Sequence, residues 1–196
     1  MTSASVADTP RIYTIEEYLE LEERSSLKHH FVKGKLINTP GGTLRHNTIS
    51  SNIITAINIA LRQQSLPFLV SNSDTKIWVP VIGSFYYPDA VVIYEVPEYY
   101  QGRKDVILNP LLIVEVASPS TEAHDRGSKF MDYATLPSLK EFLIVHQDYR
   151  VAHLSSRVES DLWQLSTAEG TDKQIHLRSI GISIAMSDIY YKTEGL

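Results

Sequence analysis

Two carboxylates of this chain stand where a carboxylate is costly. Asp89 follows Pro88 at the start of the apolar run Ala90-Val91-Val92-Ile93. Glu115 lies inside Leu111-Leu112-Ile113-Val114-Glu115-Val116-Ala117, the most apolar stretch of the sequence. An ionised carboxylate buried without a partner takes up a proton or finds a cation. If adjacent strands bring Asp89 and Glu115 to one end of a sheet, a shared divalent cation relieves their repulsion. Oxygen ligands favour Mg2+ or Mn2+ over zinc, and such an ion acidifies a bound water and neutralises charge on a phosphate. A plainer reading stays open on residue type alone. Pro-Asp is a common turn dipeptide, and a lone Glu in a buried strand can pair with Arg or Lys. The spacing of Asp125 and Lys129 also fits a surface i, i+4 ion pair, worth about 0.3 kcal/mol.

The remaining reactive side chains form no recognised constellation. None of His29, His124, His146, His153 and His176 has metal-ligand spacing with another, such as the helical His-x-x-x-His of a zinc site. His46, near the start of a long helix, either contacts phosphate at the helix N-terminus or is a capping or surface residue. There is no Gly-x-Ser-x-Gly elbow and no phosphate-cradling glycine loop. The chain has 11 Tyr, and Tyr86, Tyr87, Tyr99 and Tyr100 read as a contact surface, for a second copy more than for bases.

These residues need elements to position them. Thr14 with Glu17 is a capping box that opens a helix to about Arg24. Phe31 to Ile37 reads as a hairpin turning at Gly34. From Leu44 to Gln64 the apolar residues Ile49, Ile53, Ala56, Ile57, Ala60 and Leu61 recur at helical spacing. A strand from Phe68 to Pro80, broken near Asn72, precedes one from Pro88 to Tyr94. Residues 95–109 are polar and aromatic and read as an insertion at the sheet edge. The unbroken apolar run around Glu115 predicts a strand covered on both faces. A helix from Ala123 to Tyr133 and a buried strand from Glu141 to His146 follow. Val151–Leu154, Leu162–Leu165 and Ile175–Leu177 predict an antiparallel meander, with Ile182 to Tyr191 closing as helix or strand. Short links between strands argue against a doubly wound nucleotide fold. The expected class is α/β, a mixed α+β sheet with flanking helices and a C-terminal β meander. A flexible arm at 1–12 would precede one domain at 13–196.

Composition bounds the partners. The 196 residues are 43% hydrophobic and 21% charged, as in a soluble globular domain. No apolar run reaches the roughly 18 to 20 residues that span a bilayer, and the N-terminus lacks the pattern of a secretory signal. With no cysteine, disulfides and thiolate metal sites are excluded, which is compatible with the cytoplasm. A net charge of −5 leaves phosphate contacts to a few cations, Lys28, Lys33, Lys35, Arg45, Arg103 and Lys104.

Three stretches carry a wider likeness. They are Tyr87-Pro88-Asp89-Ala90-Val91-Val92, then Asn109-Pro110 through Glu115-Val116-Ala117-Ser118-Pro119-Ser120-Thr121, then Asp125-Arg126-Gly127-Ser128-Lys129-Phe130 with Tyr133. With Glu17-Tyr18-Leu19, Lys28 to Ile37, and Pro40-Gly41-Gly42-Thr43 leading to His46-Asn47, the chain resembles the Uma-two-type restriction endonucleases over about residues 14 to 150. The resemblance implies a restriction-endonuclease-like PD-(D/E)xK core, a DNA substrate, a Mg2+ or Mn2+ site and a homodimer. It makes Asp89 and Glu115 the metal carboxylates. The usual Lys two residues after the Glu is Ala117 here, and the resemblance moves that role to Lys129. His30 stands where relatives commonly carry Glu, and with His46 it would line the substrate site. A His at that position implies either a softer metal preference or a degenerate site, in which case the chain would act as a DNA-binding or protein-interaction module.

Overall fold

The computed structural model describes residues 11–39, 41–119 and 122–196. The arm expected at 1–12 falls largely on residues 1–10, outside the described residues, as do Pro40, Ser120 and Thr121. Arg11 is tied to Glu17, and the Tyr13 N–H donates to the Gly34 carbonyl.

Helix α1 (Ile15–Arg24) starts at the capping box, with Thr14 and Glu17 each accepting from the other's backbone N–H. It packs Tyr18 and Leu19 against Phe31, Phe85 and Val106. Strands β1 (Lys28–Val32) and β2 (Lys35–Thr39) form the hairpin. Its turn residues Lys33 and Gly34 both have positive φ, and a side chain at Gly34 would strike Ile12. Helix α2 (Leu44–Gln63) is capped by Thr43 and buries Ile49, Ile53, Ile57 and Leu61. At about 1.5 to 3 kcal/mol per buried side chain, that stripe offsets the weak helix propensity of its β-branched residues.

The long strand expected over Phe68 to Pro80 divides near Asn72 into β3 (Phe68–Asn72) and β4 (Lys76–Val79), which enter different sheets. Strands β5 (Ser84–Tyr86) and β6 (Ala90–Tyr94) follow. Residues 95–109 are not a plain insertion. They supply the edge strand β7 (Tyr99–Tyr100) and β8 (Arg103–Ile107), which pairs in parallel with β4. Strand β9 (Pro110–Ala117) carries Glu115.

The helix expected over 123–133 is broken into α3 (Glu122–His124), a segment kinked at Gly127 (Asp125–Lys129) and α4 (Phe130–Tyr133). Strands β10 (Glu141–His146), β11 (Val151–Arg157) and β12 (Trp163–Glu169) complete the central sheet. The meander is shorter than expected. Strand β13 (Gln174–Leu177) leaves the sheet to pair with β14 (Ile182–Ala185), before the short helix α5 (Met186–Ile189). The last segment is thus strand and then helix.

One sheet runs β2-β1-β5-β4-β8-β7, and the central sheet runs β12-β11-β10-β9-β6-β3. In the central sheet only β9 and β10 are parallel. Helix α2 and the β13–β14 hairpin cover one face. The other face packs Val91, Ile93, Ile113, Phe142 and Ile144 against Ile77, Val79, Tyr86 and Tyr133. Both faces of β9 are therefore dry, which is why its sequence does not alternate. Tyr86 and Tyr87 are interior residues, so the contact surface read for them from sequence is reduced to the exposed Tyr99 and half-buried Tyr100.

Candidate active site

Strands β6 and β9 run antiparallel with Ala90 opposite Val114. One step further, that register carries Asp89 opposite Glu115. The Val116 N–H donates to Asp89 Oδ2 at 2.7 Å, fixing the Pro-Asp turn to the neighbouring strand. His46, in the first turn of α2, sets its Nε2 3.3 Å from the same oxygen. Burial works against a charged His46, but its bond to Asp89 outweighs that and raises its basicity. His46 is thus half-buried against Asp89 and is not a free surface residue. Thr43 ties this end of α2 to Gln147, just beyond β10.

Glu115 lies deeper. Its Oε1 accepts from Lys129 Nζ at 2.7 Å and from the Tyr133 hydroxyl at 3.4 Å. Lys129 also lies 3.5 Å from Asp125 Oδ1. The Asp125–Lys129 pair is therefore not the surface pair its spacing permits, since both side chains are buried. In a regular α-helix, residues at i, i+4 and i+8 drift around the axis by about 40° per step. The backbone between Asp125 and Lys129 is instead kinked at Gly127, whose φ of −99° and ψ of −105° are not helical, so that drift does not apply across it. Asp125 and Lys129 are both buried, and Lys129 and Tyr133 both reach Glu115.

Burial pushes the Glu115 carboxyl well above the ordinary range. Lys129 pulls it down, and Asp89 and Asp125 push it up further. Burial also disfavours the Lys129 ammonium, yet Glu115 and Asp125 outweigh this and hold the lysine charged. Three carboxylates thus share one electrostatic neighbourhood with one ammonium. Asp89 and His46, with side chains 19% and 17% exposed, form its solvent-facing half. Glu115 and Lys129, at 4% and 5%, form its dry half.

Such a donor set fits a hard divalent cation in chemistry and in charge. Among the described residues no three His, Asp or Glu side chains converge as a complete cage. A cation on Asp89 and Glu115 would fill its remaining positions with water and phosphate oxygens, the usual habit of Mg2+.

His30, on β1, belongs to the same region. Its Nδ1 accepts from the Tyr87 N–H at 3.2 Å, its ring leans on Tyr86, and Lys129 and His124 bear on it electrostatically. The cations named from sequence serve elsewhere in part: Lys28 pairs with Asp74, and Arg103 with Glu23. His29 is held by Glu22, and His124 by Ser128. Asp125 and Tyr133 also reach this neighbourhood, though in sequence Asp125 reads only as a surface partner of Lys129 and Tyr133 only as part of the family likeness. Their i, i+4, i+8 spacing with Lys129 was the available signal.

Comparison with known proteins bears on the family and the fold. The profile of the Uma2 family, described as "Putative restriction endonuclease", matches residues 15–187. Two relatives from Synechocystis sp., the uncharacterized proteins sll1609 and slr1290, are 33% and 34% identical to the chain. The matches cover 87% and 89% of this chain and 95% and 90% of those proteins. A crystal structure from Anabaena variabilis, titled a putative nuclease of DUF820, superposes with a TM-score of 0.72 at 15% identity. It covers 90% of this chain and 97% of that one, and shows the shared fold. No helix among the described residues is long and apolar enough to cross a membrane. With the profile spanning most of its length and two relatives above 30% identity, the chain belongs to the Uma2 family and has its nuclease-like mixed α+β fold.

Proposed function

We propose that this protein is a DNA endonuclease that hydrolyses phosphodiester bonds with Mg2+ or Mn2+ held by Asp89 and Glu115. The observation that supports it most is the register that sets Asp89 opposite Glu115 at one end of the β6–β9 pair, with Lys129 bonded to Glu115. The cation would acidify the attacking water and neutralise phosphate charge. The water oxygen forms the new bond to phosphorus and its proton passes to solvent, while the ester oxygen leaves with the electrons of the broken bond and takes a proton from a solvent water. Lys129, kept as an ammonium by two carboxylates, serves as fixed positive charge for the phosphoryl oxygens and not as a base. His46, beside Asp89 in the first turn of α2, lines the approach of the substrate. The reading carries with it a homodimer acting in the cytoplasm, and light scattering of the purified chain measures the former.

The test is cleavage of plasmid and single-stranded DNA with Mg2+ or Mn2+, by the wild type and by Asp89→Ala and Glu115→Ala. Metal-dependent cutting lost in both variants is expected. Cutting that survives both removes the assignment. The short Lys129–Glu115 contact favours a second reading, in which the ion pair replaces the cation and the chain is a DNA-binding or protein-interaction module. Binding of DNA without cleavage across both metals would support it.

A further inference from the structure

The sequence leaves two uses open for His30, as a softer metal ligand or as a lining residue, and its hydrogen bonding decides between them. A backbone N–H can only donate. The Tyr87 N–H points at His30 Nδ1, so that nitrogen must present its lone pair. Neutral imidazole has one protonated nitrogen, and with Nδ1 accepting, the proton resides on Nε2. The ring cannot readily escape by taking a second proton. Burial, then the charges of Lys129 and His124, depress its pKa to about 2. Both lone-pair routes to a cation are closed: Nδ1 is occupied, and Nε2 carries hydrogen.

Tyr87 is itself held at both ends. Its hydroxyl donates to Glu22 and accepts from Lys76, so the N–H that fixes His30 is not free to swing away. Tyr87 also lies two residues before Asp89. One clamp therefore sets both the tautomer of His30 and the start of the turn that presents the carboxylate.

We propose that His30 is a neutral hydrogen-bond donor through Nε2–H, that it binds a non-bridging phosphodiester oxygen, and that it does not hold the cation. The phosphodiester rests on the proposed nuclease reading; the tautomer does not. A neutral donor suits this position, since it adds no charge beside Lys129. It also leaves the cation only oxygen ligands, so the preference stays with Mg2+ and Mn2+ in spite of the histidine.

The test has two arms. In the first, 15N-histidine-labelled wild-type protein is examined by long-range 1H–15N correlation at pH 7, with His30→Gln to assign the signal. A protonated Nε2 and bare Nδ1 are expected, and the opposite pattern or a doubly protonated ring overturns the proposal. In the second, Mn2+ affinity and oligonucleotide affinity are measured for the wild type, His30→Ala and His30→Gln. His30→Ala is expected to weaken oligonucleotide binding roughly tenfold while leaving Mn2+ affinity within about twofold. His30→Gln, whose amide can donate from a similar place, is expected to restore most of the loss. Mn2+ affinity falling in step with DNA affinity in both variants would make His30 a ligand and refute the assignment. Thermal melting of each variant separates these effects from unfolding. If the wild type binds neither Mn2+ nor DNA, the nuclease reading falls and with it the ligand given to His30. The first arm then still decides the tautomer.

Discussion

Replacing Lys129 by methionine removes the ammonium from the dry half of the site while nearly preserving side-chain volume. Glu115, buried and facing Asp89 and Asp125, then has no cation. It can remain in the fold only by keeping a proton. Burial already raises the wild-type Glu115 carboxyl from the ordinary 4.5 to about 8, so wild type and variant both carry that proton at pH 7. Lys129 pulls the value down, so in the variant it lies higher still. The sign follows: above pH 8 the wild-type carboxyl ionises while the variant keeps a proton that the unfolded chain has released. The variant's deficit then grows by about 1.4 kcal/mol per unit, or about 2 kcal/mol between pH 8 and 9.5. Urea denaturation from pH 6 to 9.5 should show a deficit that is level up to about pH 7.5 and grows above pH 8. Millimolar Mg2+ should recover part of the loss, because a cation can take the ammonium's place. A deficit that does not grow above pH 8, or one that already grows between pH 4.5 and 7, would overturn this.

Other outcomes follow from the same geometry. Asp89→Asn keeps the side-chain shape but weakens the hard-cation site; DNA cleavage should fall by at least about a hundredfold, and EDTA should abolish it in the wild type. His30 is held neutral, so its contribution to stability is full above its ordinary value of 6.5 and declines as pH falls below it. His30→Gln should therefore flatten the acid limb of the stability curve by about 1.4 kcal/mol per pH unit, as read by urea titrations from pH 6.5 to 4.5. Glu141, buried away from the site, accepts from the Arg178 and Ser179 N–H groups and from the Ser156 and Ser179 hydroxyls. Glu141→Gln should cost about 2 to 3 kcal/mol of stability in denaturant titration and leave cleavage per folded molecule unchanged.

The parts of the fold that were legible from sequence rest on local signals. The capping box at Thr14 and Glu17 names its helix because both halves of the signal lie within one turn. The apolar stripe of α2 and the unbroken run around Glu115 each follow from burial on one face or on two. What escaped reading depends on distant partners. Strands β5 and β7 are only three and two residues long, and β8 is recognised only by its pairing with β4. Strand β13 has the pattern of a meander strand but pairs with β14, and that hairpin packs in the core shared with α2.

The site divides in the same way. Asp89 and Glu115 were marked by the cost of placing a charge beside apolar runs. The spacing of Lys129 read as a surface pair with Asp125, and only the kink at Gly127 and the burial of both side chains show that it faces inward. The tautomer of His30 depends on a backbone N–H 57 residues away, and nothing near His30 in the chain announces it.

The proposed nuclease rests on Asp89 and Glu115 together holding one divalent cation, which anomalous diffraction from crystals soaked in Mn2+ can locate. One ion is expected, bonded to a carboxylate oxygen of each residue at roughly 2.0 to 2.3 Å, with Lys129 Nζ moved away from Glu115. Glu115 still paired with Lys129 at millimolar Mn2+, with no ion between the two carboxylates, would contradict it.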